Sequence, residues 1–119
     1  MSAFRHFPAL QTDGLPPLAH EQIEVLLQQD GVRIERIVSD EHASPPGFWY
    51  DQAEHEWVMV LQGGARLTVE RNAGETEQIE LAEGDALLLP AHGRHRIEST
   101  HSKTVWLALF WKETAPKGE

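Results

Sequence analysis

The chain has 119 residues, the length of one domain, and 40% of them are hydrophobic, enough for one buried core. It contains no cysteine, so disulfides, thiolate metal sites and thiol nucleophiles are excluded. Acidic residues outnumber basic ones by 19 to 10, which disfavours nucleic acids and anionic membranes as partners because both bind basic faces. No secretion signal or apolar segment of membrane-spanning length is present, so we expect a cytoplasmic protein.

Residues 1–31 are predicted to form an arm followed by a short helix. The first 17 residues contain three prolines and a glycine, which favours an irregular arm over regular structure. Between residues 18 and 29 apolar side chains recur at roughly helical spacing, and Gly31 stands just beyond them as a stop signal. These apolar residues are Leu18, Ile23, Leu26 and Leu27.

From residue 32 the chain changes to short alternating segments separated by turn residues. About eight strands fall within about 80 residues, a spacing typical of an antiparallel sandwich or barrel. We therefore predict an all-β, eight-stranded antiparallel jelly-roll barrel over residues 32–112, after the short N-terminal helix and before a polar tail at 113–119. The predicted strands are Val32–Ser39, Phe48–Gln52, Glu56–Leu61, Ala65–Glu70, Thr76–Leu81, Ala86–Leu89, His95–Ser99 and Thr104–Trp111.

Two short motifs occur within this strand-rich part. Glu56 is followed by six residues and Gly63, and Gly84 by five residues, Pro90 and then His95. In this order the motifs resemble those of the cupin superfamily, small jelly-roll barrels. The runs WYDQ, EW and LQG together with PAHGRH are similar to a group of small single-domain bacterial cupins that are mostly uncharacterised. The resemblance covers about residues 32–111 and implies the cupin barrel as the fold.

The resemblance also implies a divalent metal inside the barrel, held by a His-x-His pair, a glutamate and a further histidine. Glu56 and His95 match the last two positions. The His-x-His pair is absent, and its places fall on Tyr50 and Gln52 or, with one more residue in the gap, on Trp49 and Asp51.

Two metal sites follow from these alternatives. One comprises Asp51, Glu56 and His95, completed by His92 or water, and the other comprises Gln52, Glu56 and His95. Carboxylate and imidazole groups suit Mn, Fe, Ni or Zn, whereas an amide oxygen is a poorer ligand. The metal-free alternative is a hydrogen bond between Glu56 and His95 in a polar barrel mouth.

Two classes of function remain open. The first is a cupin that binds a divalent metal and a small polar molecule, with unassigned activity and unassigned catalytic residues. The second is a metal-free barrel that binds a small molecule as a sensor or accessory module. Trp57 and Met59 lie on the opposite strand face from Glu56, so we expect them to face outward and to be covered by the helix or a second subunit. The resemblance implies a homodimer.

Overall fold

The computed structural model describes residues 4–112, so the predicted tail at 113–119 lies outside the described residues. The described part forms eight strands in two antiparallel sheets. The strands are β1 (Gln22–Gln29), β2 (Val32–Ser39), β3 (His55–Gln62), β4 (Ala65–Asn72), β5 (Glu75–Leu81), β6 (Ala86–Leu89), β7 (His95–Thr100) and β8 (Thr104–Trp111).

The larger sheet has the strand order β1-β2-β8-β3-β6, and the smaller one has the order β5-β4-β7. Their inner faces enclose an apolar core, as expected for a sandwich whose strands alternate inward and outward side chains. Val60 and Ala108 on the larger sheet and Leu67 on the smaller one are almost completely buried in it. This core supports one end of the sandwich and leaves the other end open.

The predicted N-terminal helix is wrong. Its residues form β1, which pairs with β2 from Gln22 opposite Val38 to Gln29 opposite Val32. Asp30 and Gly31 both have positive φ, at 51° and 79°, and make the two-residue turn that suits a β-hairpin. Gly31 therefore closes a hairpin rather than ending a helix. No helix occurs within residues 4–112, and hence none that could cross a membrane.

The segment Phe48–Gln52, predicted as a strand, is a loop with one isolated bridge. Tyr50 and His95 exchange backbone hydrogen bonds of 2.7 and 3.2 Å, and no ladder continues beyond them. A turn at Pro45–Phe48 precedes this bridge, with Gly47 at φ 76°. The count of eight strands is nevertheless reached, because β1 takes the place of this segment.

Trp57 and Met59 lie on the outer face of the larger sheet, opposite Glu56. The strand register places Trp57 in a continuous apolar row to which every strand of the sheet contributes one residue. The N-terminal arm contacts the same face, where Pro8 accepts a hydrogen bond from Arg36 and Thr12 accepts one from Gln62. The apolar row consists of Leu27, Ile34, Leu109, Trp57 and Leu88.

Gly63, in the turn from β3 to β4, is a position where the fold requires glycine. Its φ is 89°, and a Cβ atom there would lie 2.6 Å from Oγ1 and 2.9 Å from Cα of Thr104. We expect Gly63→Ala to lower the free energy of unfolding by about 2–3 kcal/mol, measured by urea denaturation. The control is Gly74→Ala, which shares the left-handed conformation but has open space around it, and should lose about 1 kcal/mol. Equal losses at the two positions would contradict this account.

Candidate functional site

A cavity of about 320 Å³ lies at the open end of the sandwich between the two sheets. Its walls are mainly apolar, with the aromatic rings of Trp106 and Phe110 on the larger sheet and Leu67 on the smaller one. The polar residues that line it are Glu21, Glu35, Ser39, His42, Ser44, Tyr50, Gln52, Glu56 and His95. Apolar walls with a few convergent polar groups are the usual composition of a small-molecule site.

Glu56 projects from the inner face of β3 into this cavity, on the same side as Val58. The side-chain amide of Gln52 donates a hydrogen bond of 2.9 Å to Oε1 of Glu56. Burial raises the pKa of Glu56 to about 7; the Gln52 hydrogen bond opposes this rise, whereas the nearby Glu35 carboxylate adds to it. Near neutral pH the carboxyl group can therefore either donate or accept a proton.

His95 begins β7 and is only 3% exposed. Its ring stacks on Tyr50, with centroids 5.1 Å apart and planes at 17°. Nδ1 lies 2.9 Å from the Gly93 carbonyl oxygen, and because a carbonyl only accepts, Nδ1 carries the hydrogen. Burial lowers the pKa of His95, so the ring is neutral at pH 7 and its Nε2 presents a lone pair that no described residue engages.

Asp51 and His92 lie outside the cavity and contact each other instead. Oδ1 of Asp51 and Nδ1 of His92 are 2.7 Å apart, and both side chains are exposed. Asp51 points away because side chains alternate along the extended loop and its neighbours Tyr50 and Gln52 line the cavity. His92 has φ 59°, in the left-handed region that favours glycine. Of the five candidate ligands, the structure thus brings together Glu56, His95 and Gln52.

Glu35 is a cavity residue that the sequence interpretation missed. It lies on the inner face of β2, and its side chain is 12% exposed. Arg33 donates one hydrogen bond of 2.8 Å to Glu35 and two, of 2.9 and 3.0 Å, to Glu54, while its guanidinium lies 4.3 Å from the centre of the Phe110 ring. Arg33 and Glu35 therefore face inward, and Arg36 on the same strand faces outward. Alternation alone predicted the two faces but not which of them is buried.

The residues at the cavity do not match a resident divalent metal. Catalytic metal sites use at least three protein ligands, most often imidazole and carboxylate groups. Within residues 4–112 no three His, Asp or Glu side chains are arranged so that they could hold a metal ion. Gln52, the third potential donor, directs its NH₂ group at Glu56.

A family model described as Cupin domain matches residues 36–110. The chain belongs to the cupin family. This confirms the resemblance found in the two motifs, and no curated protein matches this cupin closely enough to add a specific activity.

Solved structures agree with this assignment. A "putative mannose-6-phosphate isomerase" from Ralstonia eutropha is 40% identical, with 89% of this chain and 100% of that chain covered and a TM-score of 0.77. A cupin superfamily protein from Desulfitobacterium hafniense is 21% identical over 83% of this chain and 84% of its own, with a TM-score of 0.67.

Oxalate decarboxylase from Bacillus subtilis, which has Mn(II) centres, is a more distant neighbour. It is 19% identical, covers 75% of this chain and 23% of its own, and has a TM-score of 0.59. Like the Desulfitobacterium protein, it shows only the shared fold.

The raised pKa of Glu56 generates a prediction about stability. A pKa near 7 in the folded state, against an ordinary value of 4.5, means that the folded protein favours the protonated carboxyl. Its stabilising contribution is present below pH 4.5 and is lost as the pH rises through 7. We expect Glu56→Gln to be more stable than wild type by about 2–3 kcal/mol at pH 8 and equal to it at pH 4.5. Urea denaturation across this range measures the difference.

The matched control is Glu80→Gln on β5, an exposed carboxylate paired with Arg66. Its stability should stay parallel to that of the wild type at every pH. A Glu56→Gln profile that also stays parallel to wild type would show that Glu56 is not buried as described.

Proposed function

We propose that this cupin binds a small molecule in its cavity through Gln52, Glu56 and His95, without a resident metal. The observation that supports this most strongly is the free hydrogen-bonding capacity at these three side chains. Oε1 of Gln52, Oε2 of Glu56 and Nε2 of His95 have no partner among the described residues, although all three residues line a mainly apolar cavity.

These three atoms are accessible from the cavity, so either water or the polar group of a ligand can pair with them. A ligand that displaced the water without pairing would leave a polar atom unsatisfied at a cost of about 1–3 kcal/mol, so the site selects for a matching polar group. Water alone can fill the cavity, but a ligand with a polar group and an apolar body would satisfy both kinds of wall. The arrangement therefore favours binding of a small amphipathic molecule.

A metal-dependent cupin is the second candidate, with Mn, Fe, Ni or Zn as the ion. It is favoured by the match of Glu56 and His95 to the family positions and by the Mn(II) centres of the oxalate decarboxylase neighbour. On this alternative Glu56, His95 and the weaker donor Gln52 would hold the ion. The reaction and its substrate are unassigned.

One experiment separates the two candidates. Protein purified without an affinity tag is titrated with Mn²⁺, Fe²⁺, Ni²⁺ and Zn²⁺ by calorimetry, and is screened by ligand-observed NMR against single-ring amines, alcohols and carboxylic acids. We expect no stoichiometric metal binding, and we expect small-molecule hits that are lost in His95→Ala.

His92→Gly is the matched control, because it replaces a histidine three residues away that lies outside the cavity. It should retain every hit. Stoichiometric metal that is lost in both His95→Ala and Glu56→Gln but retained in His92→Gly would overturn the metal-free proposal and support the second candidate.

We further propose that two copies pair through the outer face of the larger sheet. The apolar row across its five strands spans about 19 Å. This is about two thirds of the width, roughly 28 Å, of a stable interface that buries about 800 Å² per partner. The end residues of the row, Leu27 and Leu88, remain 42% and 55% exposed. A second copy stacked on this face would bury the whole row at once.

Leu88→Asp tests this pairing, because the residue is exposed enough to be replaced without loss of folding. Wild type should sediment at twice the chain mass of 13.4 kDa at micromolar concentration, and Leu88→Asp at the chain mass. Leu61→Asp, an exposed position outside the row, should remain dimeric. A monomeric wild type would refute the dimer.

A further inference from the structure

Acidic side chains outnumber basic ones among the residues that line the cavity. Glu21, Glu35 and Glu56 line it, whereas no Lys or Arg of residues 4–112 does. The guanidinium of Arg33, which contacts Glu35, is shared between Glu35 and Glu54. The cavity therefore presents uncompensated negative charge.

The hydrogen-bonding groups that remain free in the cavity are mostly acceptors. Ser39 is saturated, since it donates to Glu21 and accepts from the indole N–H of Trp106. His42 is also saturated, because Nδ1 accepts from the Asp40 amide and Nε2 donates to the Leu18 carbonyl. What is left is one oxygen on each of Glu21, Glu35, Gln52 and Glu56, Nε2 of the 3% exposed His95, and the hydroxyl groups of Ser44 and Tyr50, which can also donate.

Glu35 and Glu56 face the same space from β2 and β3, with β8 between them. In the register of the sheet, Glu35 on β2 pairs with Ala108 on β8, and Ala108 pairs with Val58 on β3. Val58 is two residues from Glu56 along β3. From sheet spacings the Cα atoms of the two glutamates are about 12 Å apart. Both glutamates line the cavity, one from each side of β8.

The remaining walls suit an apolar body next to a positive charge. Tyr50, Trp106 and Phe110 line the cavity, and aromatic faces attract cations through their negative quadrupole. The volume of about 320 Å³ corresponds to about ten water molecules, which suits a single-ring molecule with a short side chain.

We infer that the cavity takes a small organic cation, a primary ammonium on an apolar body, with the ammonium between Glu35 and Glu56 and the body against the aromatic walls. A primary ammonium supplies three N–H donors to a site whose free groups are mostly acceptors. A phosphate or dicarboxylate would meet carboxylates and no cationic side chain. The inference rests on the proposed function and narrows it to one class of ligand.

The test uses three probes that share a phenyl ring and differ in the polar end: 2-phenylethylamine, 2-phenylethanol and 3-phenylpropanoate. We expect calorimetry at pH 7.5 to show the amine binding at least tenfold more tightly than the alcohol, with no binding of the acid. The N,N,N-trimethyl analogue of the amine keeps the charge without N–H donors, and should bind more weakly than the amine.

Variants of the cavity glutamates test whether their negative charge binds the ammonium group. Glu35→Gln should weaken binding of 2-phenylethylamine about tenfold or more, while Glu80→Gln on the outside should leave it unchanged. Because Glu35→Gln also disturbs Arg33, Glu21→Gln serves as the second variant: it retains an acceptor for Ser39 and should weaken binding in the same direction. Unchanged affinity in both variants would overturn the inference.

The outcomes also separate this inference from the proposed function. Binding of the alcohol or the acid at least as tight as that of the amine, lost in His95→Ala, would refute the cationic ligand and uphold the cavity as a small-molecule site. If no probe binds, the inference is overturned. Stoichiometric metal binding in the same preparation would then overturn the proposed function as well.

Discussion

The reciprocal backbone hydrogen bonds between Tyr50 and His95 determine the arrangement of the cavity. They attach the loop before β3 to the first residue of β7 and so join the two sheets at the open end of the sandwich. With Tyr50 held against the His95 ring, alternation directs Gln52 inward to Glu56 and Asp51 outward to His92. A shift of one residue in this bridge would exchange the inward and outward sets.

The sequence was sufficient to predict the all-β class, the seven strands from β2 to β8 and the family. It was insufficient for β1, whose apolar residues fit a helical period because a bulge between Val25 and Leu27 interrupts the alternation expected of a strand. Both faces of this edge strand are largely exposed, so burial left no strong pattern in it. The dipeptide Asp30-Gly31 was the available signal, since it is typical of a hairpin and less typical of a helix end.

The candidate site could be predicted in part. Glu56 and His95 were found because local motifs carry them, and the structure places both at the cavity. The choice between Asp51 and Gln52 depends on the pairing of Tyr50 with His95, a contact across 45 positions that no local spacing encodes. Glu35 was missed because a polar residue in an alternating strand is normally assigned to solvent, whereas here it faces a cavity.

Tyr50 and Gln52 stand where the resemblance to cupins implies a His-x-His pair, and this difference has an electrostatic consequence. In a metal-holding cupin, a glutamate at the position of Glu56 has a divalent cation to balance its charge. Here Tyr50 and Gln52 occupy the corresponding loop, both are neutral, and the charge of Glu56 is countered only by an amide hydrogen bond and by Arg33, which Glu35 and Glu54 already share. A buried carboxyl in that position responds by holding its proton, which explains its raised pKa. The same imbalance is the physical basis of the ammonium ligand proposed above, because a positive charge in the cavity would neutralise the carboxylates that line it.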